Sequence, residues 1–166
     1  MAKSSAPTRS SSSASKAKLP GSYASKGASS NFRQFDSGEY HVKFRAVTLK
    51  DDVERRQFNI QYAVTILDGP EQQDGEDVSG MNASFFERIN KEDHPDYDPD
   101  KNFGIDRNKS ACIAAGVEVP RSDVVPFDEF EGKEAILVLK RAPAKNPDAN
   151  GNIREFTNIV TWRPVE

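Results

Sequence analysis

The residues best suited to do chemistry in this chain are cations at strand spacing. His41, Lys43 and Arg45 occupy every second position, which on an extended backbone puts successive charges about 6.6 Å apart. That separation is comparable to the phosphate spacing of an extended polynucleotide. A second basic group, Lys140, Arg141, Lys145 and Arg154, surrounds the single acid Asp148, and Arg55 and Arg56 form a third. Holding an unpaired polynucleotide needs cations along its backbone and flat rings under its bases, neither in a fixed order. Phe86 and Trp162 are the rings expected to serve, and the amides of Gln57, Asn59 and Gln61 both donate and accept hydrogen bonds without demanding one base. For the cations and amides the plainer reading is a solvated surface with no ligand, and for Phe86 and Trp162 it is core packing or a loop anchor.

Catalytic chemistry has less to draw on. One cysteine and two histidines make no zinc site of the CxxC kind, and Cys112 lies in a run of small residues that reads as buried packing. Asp96, Asp98 and Asp100 resemble the opening of a calcium loop, but Lys101 stands where the turn glycine belongs and Arg107 where the bidentate glutamate belongs. Acids bracketed by Pro95 and Pro99 read as a hydrated loop. No phosphate-binding glycine loop and no Ser/His/Asp spacing is present, so the expectation is a non-enzyme without metal or cofactor.

The elements that must position these residues follow from periodicity. Tyr40, Val42, Phe44 and Ala46 alternate with His41, Lys43 and Arg45, which predicts a half-buried strand. The polar cluster 50–55 interrupts it. Phe58, Ile60, Tyr62, Val64 and Ile66 then alternate with Gln57, Asn59, Gln61 and Thr65 before Asp68-Gly69-Pro70 breaks the run. A third strand over 78–86 has Met81, Ala83 and Phe85 inward and Phe86 outward if Gly80 makes a bulge. Residues 87–105 read as a long acidic loop, set apart from the basic loops. Asp106 is the expected N-cap of one short helix ending at Gly116. Ala135–Leu139, apolar on both faces, predicts a buried strand, and Phe156, Asn158, Val160 and Trp162 predict one face of the last.

Strand, strand, strand, helix, strand, strand is the order of a small all-β, five-stranded OB-type barrel, with the helix between strands three and four. Closure would remove the edges that five short strands otherwise expose. An open α+β sheet is the alternative, although one short helix covers little of a five-stranded face. Tyr40, Phe44, Phe58, Tyr62 and Phe156 are expected in the core, while Phe103 and Tyr97 fall in the acidic loop.

Charge divides the chain. Residues 1–33 carry six bases and no acid, while the remainder carries 17 bases and 26 acids, so +6 is followed by −9 for a total of −3. Eleven serines in residues 1–30 leave too little apolar surface to offset ordering entropy, so 1–33 is expected to be a disordered basic tail and 34–166 the folded domain. A solubilising tail, a non-specific nucleic-acid arm and a transit peptide all fit that composition. The longest apolar run, Ile136–Leu139, is far short of a membrane span. With no apolar signal core at the N-terminus and one cysteine, the expectation is an intracellular protein.

Gly38-Glu39-Tyr40-His41-Val42-Lys43, Thr65-Ile66-Leu67-Asp68-Gly69-Pro70 with Gly75 beyond it, Ala114-Ala115-Gly116-Val117, and Gly132-Lys133 together resemble bacteriophage OB-fold single-stranded-DNA-binding proteins and a related phage family of unannotated function. The resemblance covers about residues 36–163 and rests on turn glycines and strand patterning. It implies sequence-independent binding of single-stranded DNA in phage replication or recombination, in the cytoplasm of the infected host, with replication or recombination proteins as partners. Many such proteins end in a run of acids, whereas this chain ends Thr161-Trp162-Arg163-Pro164-Val165-Glu166. The competing class is a phage accessory or virion protein that uses the same barrel to bind protein, its −9 domain repelling nucleic acid.

Overall fold

The computed structural model describes residues 33–121 and 124–166. The basic tail expected over 1–33 falls, Arg33 apart, outside the described residues, and Gln34–Glu166 forms one compact unit. Its strands are β1 (Gly38–Asp52), β2 (Gln57–Asp68), β3 (Asn82–Asn90), β4 (Glu134–Pro143) and β5 (Glu155–Arg163), with the helix α1 (Phe103–Ala115) between β3 and β4 and a short 3-10 helix over Phe127–Phe130. All five strands form one antiparallel sheet in the order β3-β2-β1-β4-β5. β1 is the spine: residues 41–52 pair with β2 and residues 38–43 with β4.

Alternation buries Tyr40, Val42 and Phe44 of β1, and Ile60, Tyr62, Val64 and Ile66 of β2. At Arg45 the register slips, Phe44 facing Val64 and Ala46 facing Ala63. One inserted residue reverses the facing of everything after it. Val47 is therefore buried and Ala46 exposed, the reverse of the period-two reading. The same device acts in β5, where Ile159 pairs with Leu139 and Thr161 with Val138, leaving Val160 as the extra residue. Ile159 and Trp162 both turn inward, while Phe156, expected in the core, is 46% exposed and Val160 points out with it. In β4 Ala135, Leu137 and Leu139 are buried but Ile136 and Val138 only half so, because the outer face of the sheet is not covered there.

The sheet does not close. β3 and β5 are its edges, in contact but without a ladder between them. α1 packs on β5, β4 and β3, and so lies against that opening. Small buried residues on α1, Ala111, Cys112, Ala114 and Ala115, permit the close approach. Gly104 permits it at the other end: a Cβ there would meet the Arg88 carbonyl oxygen at 2.5 Å. The helix starts earlier than Asp106. Asn102 is the cap residue, its carbonyl accepting from the Ile105 and Asp106 amides, and Asp106 sits in the first turn, where a carboxylate suits the positive end of the dipole. Gly116, at φ +70°, ends the helix in the left-handed conformation that side chains resist.

Aromatic rings fill the centre. Phe44 lies 5.1 Å from Trp162 and 5.2 Å from Phe130 between ring centroids. Two buried polar side chains are satisfied inside: Gln72 donates to the Tyr40 hydroxyl at 2.9 Å, and Asn108 to the Tyr62 hydroxyl at 2.9 Å.

Candidate nucleic-acid interface

Register assembles the outer face of β1, β2 and β3 row by row. Lys50 lies opposite Asn59, which lies opposite Arg88; Thr48 opposite Gln61 opposite Phe86; Ala46 opposite Ala63 opposite Ser84; Lys43 opposite Thr65 opposite Asn82. Facing residues in such rows stand about 4.5–5.5 Å apart. Exposed Arg45 occupies the bulge beside Ala46. These rows hold three cations, one aromatic ring, several hydroxyls and amides, Arg45 adds a fourth cation, and the adjoining row, Asp52 opposite Gln57 opposite Asn90, brings one carboxylate to the edge of the face. Phe86 is 50% exposed. Gln61 Nε2 donates to Ser84 Oγ at 3.1 Å and Thr65 Oγ1 to Asn82 Oδ1 at 2.8 Å, so neighbouring side chains hold each other in place.

Of the residues singled out in the sequence, Lys43, Arg45, Asn59, Gln61 and Phe86 come together here. Gln57 lies at the margin, donating to Asn90 Oδ1 at 2.8 Å. Lys50, Arg88 and Thr48 complete the face and escape the sequence reading. The cluster 50–55 reads as an interruption, yet β1 runs through Lys50 in phase with Thr48, and β3 extends past its expected end at Phe86.

Other candidates are engaged elsewhere. His41 is 2.8 Å from Glu134, which also faces Lys43 across the β1–β4 ladder. Arg55 lies 3.9 Å from Asp52. Arg141 clamps Asp36 at 2.9 Å and Glu155 at 2.8 Å, and the Asp36 hydrogen bond holds its guanidinium above the usual range. Arg154 donates to Asp148 at 3.1 Å. The Asn152 amide, then the Asn150 amide and Arg154, hold the Asp148 carboxyl below the usual carboxylate range. Lys140 and Lys145 are exposed and have no ion pair among the described residues. Trp162 is 3% exposed, packed on Phe44 and Tyr62, and offers no ring face to a ligand. A position near the chain end predicts accessibility, and the β5 bulge reverses that.

The two basic loops do not meet along β1. The β1–β2 turn follows Asp52, whereas the β4–β5 loop follows Pro143, beyond the Gly38 end where Leu139 pairs. Nor does the acidic loop stand clear of the basic ones. Arg56, at φ +54°, donates to the Asp93 carbonyl at 3.0 Å and approaches its carboxylate at 4.0 Å. Lys91 pairs with Asp51 and stands over the Phe58 ring. Carboxylates therefore border the β1–β2 turn, and on the cation-bearing strand face they stand only at the margins, Asp52 opposite Gln57 and Glu134 opposite Lys43.

Among the described residues no cluster of His, Cys, Asp and Glu is arranged to hold a metal ion, and no helix is long and apolar enough to cross a membrane. No family model matches the chain, and no curated protein matches it. Its class is thus defined by architecture alone: among the described residues, a mostly β domain of five antiparallel strands in one sheet with one α-helix.

Proposed function

We propose that this chain is a sequence-independent single-stranded-DNA-binding protein, a binding module rather than an enzyme, built on an OB-type barrel left partly open between β3 and β5. The observation that carries this reading is the outer face of β1–β3, where Lys43, Arg45, Lys50 and Arg88 surround Phe86 and a field of hydroxyls and amides, with carboxylates confined to its margins at Asp52 and Glu134. Cations beside a stacking ring are what an unpaired strand needs, and the hydrogen-bonding groups impose no base order. The sheet order and the helix against the β3–β5 opening agree with an OB fold, a partly open five-stranded barrel that binds oligonucleotides on its strand 2–3 face. Phage replication or recombination, in the host cytoplasm and with proteins of that process as partners, is the setting the sequence resemblance suggests.

The test is fluorescence anisotropy of an end-labelled oligothymidine at two salt concentrations. Trp162 is buried, which makes a labelled strand the better reporter. The expected result is binding whose affinity falls with salt by about 0.7 log units per log unit of salt for each phosphate contact, with duplex competing poorly. No binding at low salt would overturn the reading and favour a protein ligand for the same domain.

A further inference from the structure

The inner face of β3 carries a residue that the outer face does not use. Glu87 lies in phase with Ala83, Phe85 and Ile89, opposite Ile60, and is 3% exposed. Arg107 of α1 brings its Nε to 3.4 Å from Oε1. At 3.4 Å that contact is a long, poorly formed hydrogen bond, and the carboxylate oxygens have no other hydrogen-bond partner among the described residues. A buried carboxylate is tolerated when it is both paired and well hydrogen-bonded, and here the second condition is met only weakly.

The surroundings add little to hold a negative charge. From β2, Tyr62 stands near enough that Glu87 adds to the burial that raises its phenol. From α1 come Arg107 and, beside Tyr62, Cys112, whose thiol burial also raises. β5 turns only the uncharged Thr157, Ile159 and Trp162 inward. Among the described residues, Arg107 is thus the one cation acting on Glu87. The location matters as much as the chemistry, because this is the side of the sheet where no ladder joins β3 to β5 and α1 lies against the opening.

We propose that Glu87 is a proton-controlled latch: the docked β3–α1 seam holds it as a neutral acid, and loss of its proton to solvent loosens α1 from β3. Burial pushes the docked carboxyl up to about 8 from an ordinary 4.5, with Arg107 pulling the other way. The raised docked value fixes the sign. Latch stability is fully present below 4.5 and is lost as pH rises through about 8. Across that window the opening constant of the seam rises about tenfold per pH unit, then levels off.

The test is native-state hydrogen exchange on the full chain from pH 5 to 9, read as protection factors so that intrinsic exchange is removed. The expected result is that α1 amides around Ala111–Ala115 lose protection about tenfold per pH unit up to pH 8 relative to Val42 and Val64. Glu87→Gln should abolish that dependence and keep α1 protected at alkaline pH. Parallel behaviour of α1 and the β1–β2 amides at every pH would overturn the proposal, as would an unchanged dependence in Glu87→Gln. Should that variant fail to fold, carbon-detected titration of the Glu87 carboxyl in the unaltered chain decides: a midpoint above about 6.5 supports the latch and a lower one overturns it.

Discussion

Trp162 of β5 lies on Tyr62 of β2 with ring centroids 4.9 Å apart, although the two strands are separated by β1 and β4 in the sheet. The contact spans the interior, so the sheet curls far enough for its second and last strands to share a core. Trp162→Ala should therefore cost about 3–5 kcal/mol of stability, read from denaturant midpoints. Oligothymidine affinity of the folded fraction should not change, and a loss of affinity at unchanged stability would return Trp162 to the ligand surface.

Lys50 and Arg88 flank Asn59 in one row of the outer face. Lys50→Ala and Arg88→Ala should each weaken binding alike for all sequences and flatten the salt slope by about 0.7. Arg154→Ala should leave the slope nearly unchanged, since Arg154 is already held by Asp148. Salt titrations of the three variants side by side measure the difference.

Phe86→Ala is expected to reduce oligonucleotide affinity by about 1–3 kcal/mol, the worth of one stacked base. Phe156 provides the control. It is similarly exposed but lies on the outer face of β5, opposite Ala142, and Phe156→Ala should leave affinity intact. Equal effects of the two substitutions would argue for non-specific hydrophobic binding instead.

Arg141 ties Asp36, just ahead of β1, to Glu155 at the start of β5. Arg141→Ala should lower stability by about 1–2 kcal/mol with little change in salt slope. Asp36→Ala should have a similar effect, and the double variant should cost less than the sum, the signature of a shared interaction. Thermal or denaturant unfolding of the cycle reads this directly.

Much of the β architecture was legible because period-two alternation is a local property. The pairs Asn59/Ile60 through Thr65/Ile66 face as their alternation requires, whereas Phe58, expected in the core, is only half-buried outside it; Gly80 at φ +82° lies with Met81 across from Ile66, and Gly116 ends the helix. The departures cluster at two inserted residues, Arg45 and Val160. Nothing in their side chains announces a bulge, and each one reverses every facing that follows, which is why Ala46 points out and why Phe156 and Trp162, on one face by period two, lie on opposite sides of the sheet.

Candidate site residues divided in the same way. Residue type and spacing were enough to mark Lys43, Arg45, Asn59, Gln61 and Phe86 as groups on the outer face of the sheet. Local composition could not say which cations would meet a carboxylate distant in sequence: His41 with Glu134, Arg56 with Asp93 and Arg141 with Asp36 are partners made by strand order. Nor could it set Lys50 and Arg88 in one row, or bury Glu87 against Arg107, because those are neighbours across a ladder and a helix packing. The chain's own pattern determined the strands and the faces within each uninterrupted run. Pairing register and sheet curvature, which depend on contacts between residues far apart in the chain, decided which charges remained available and where the interior acid would lie.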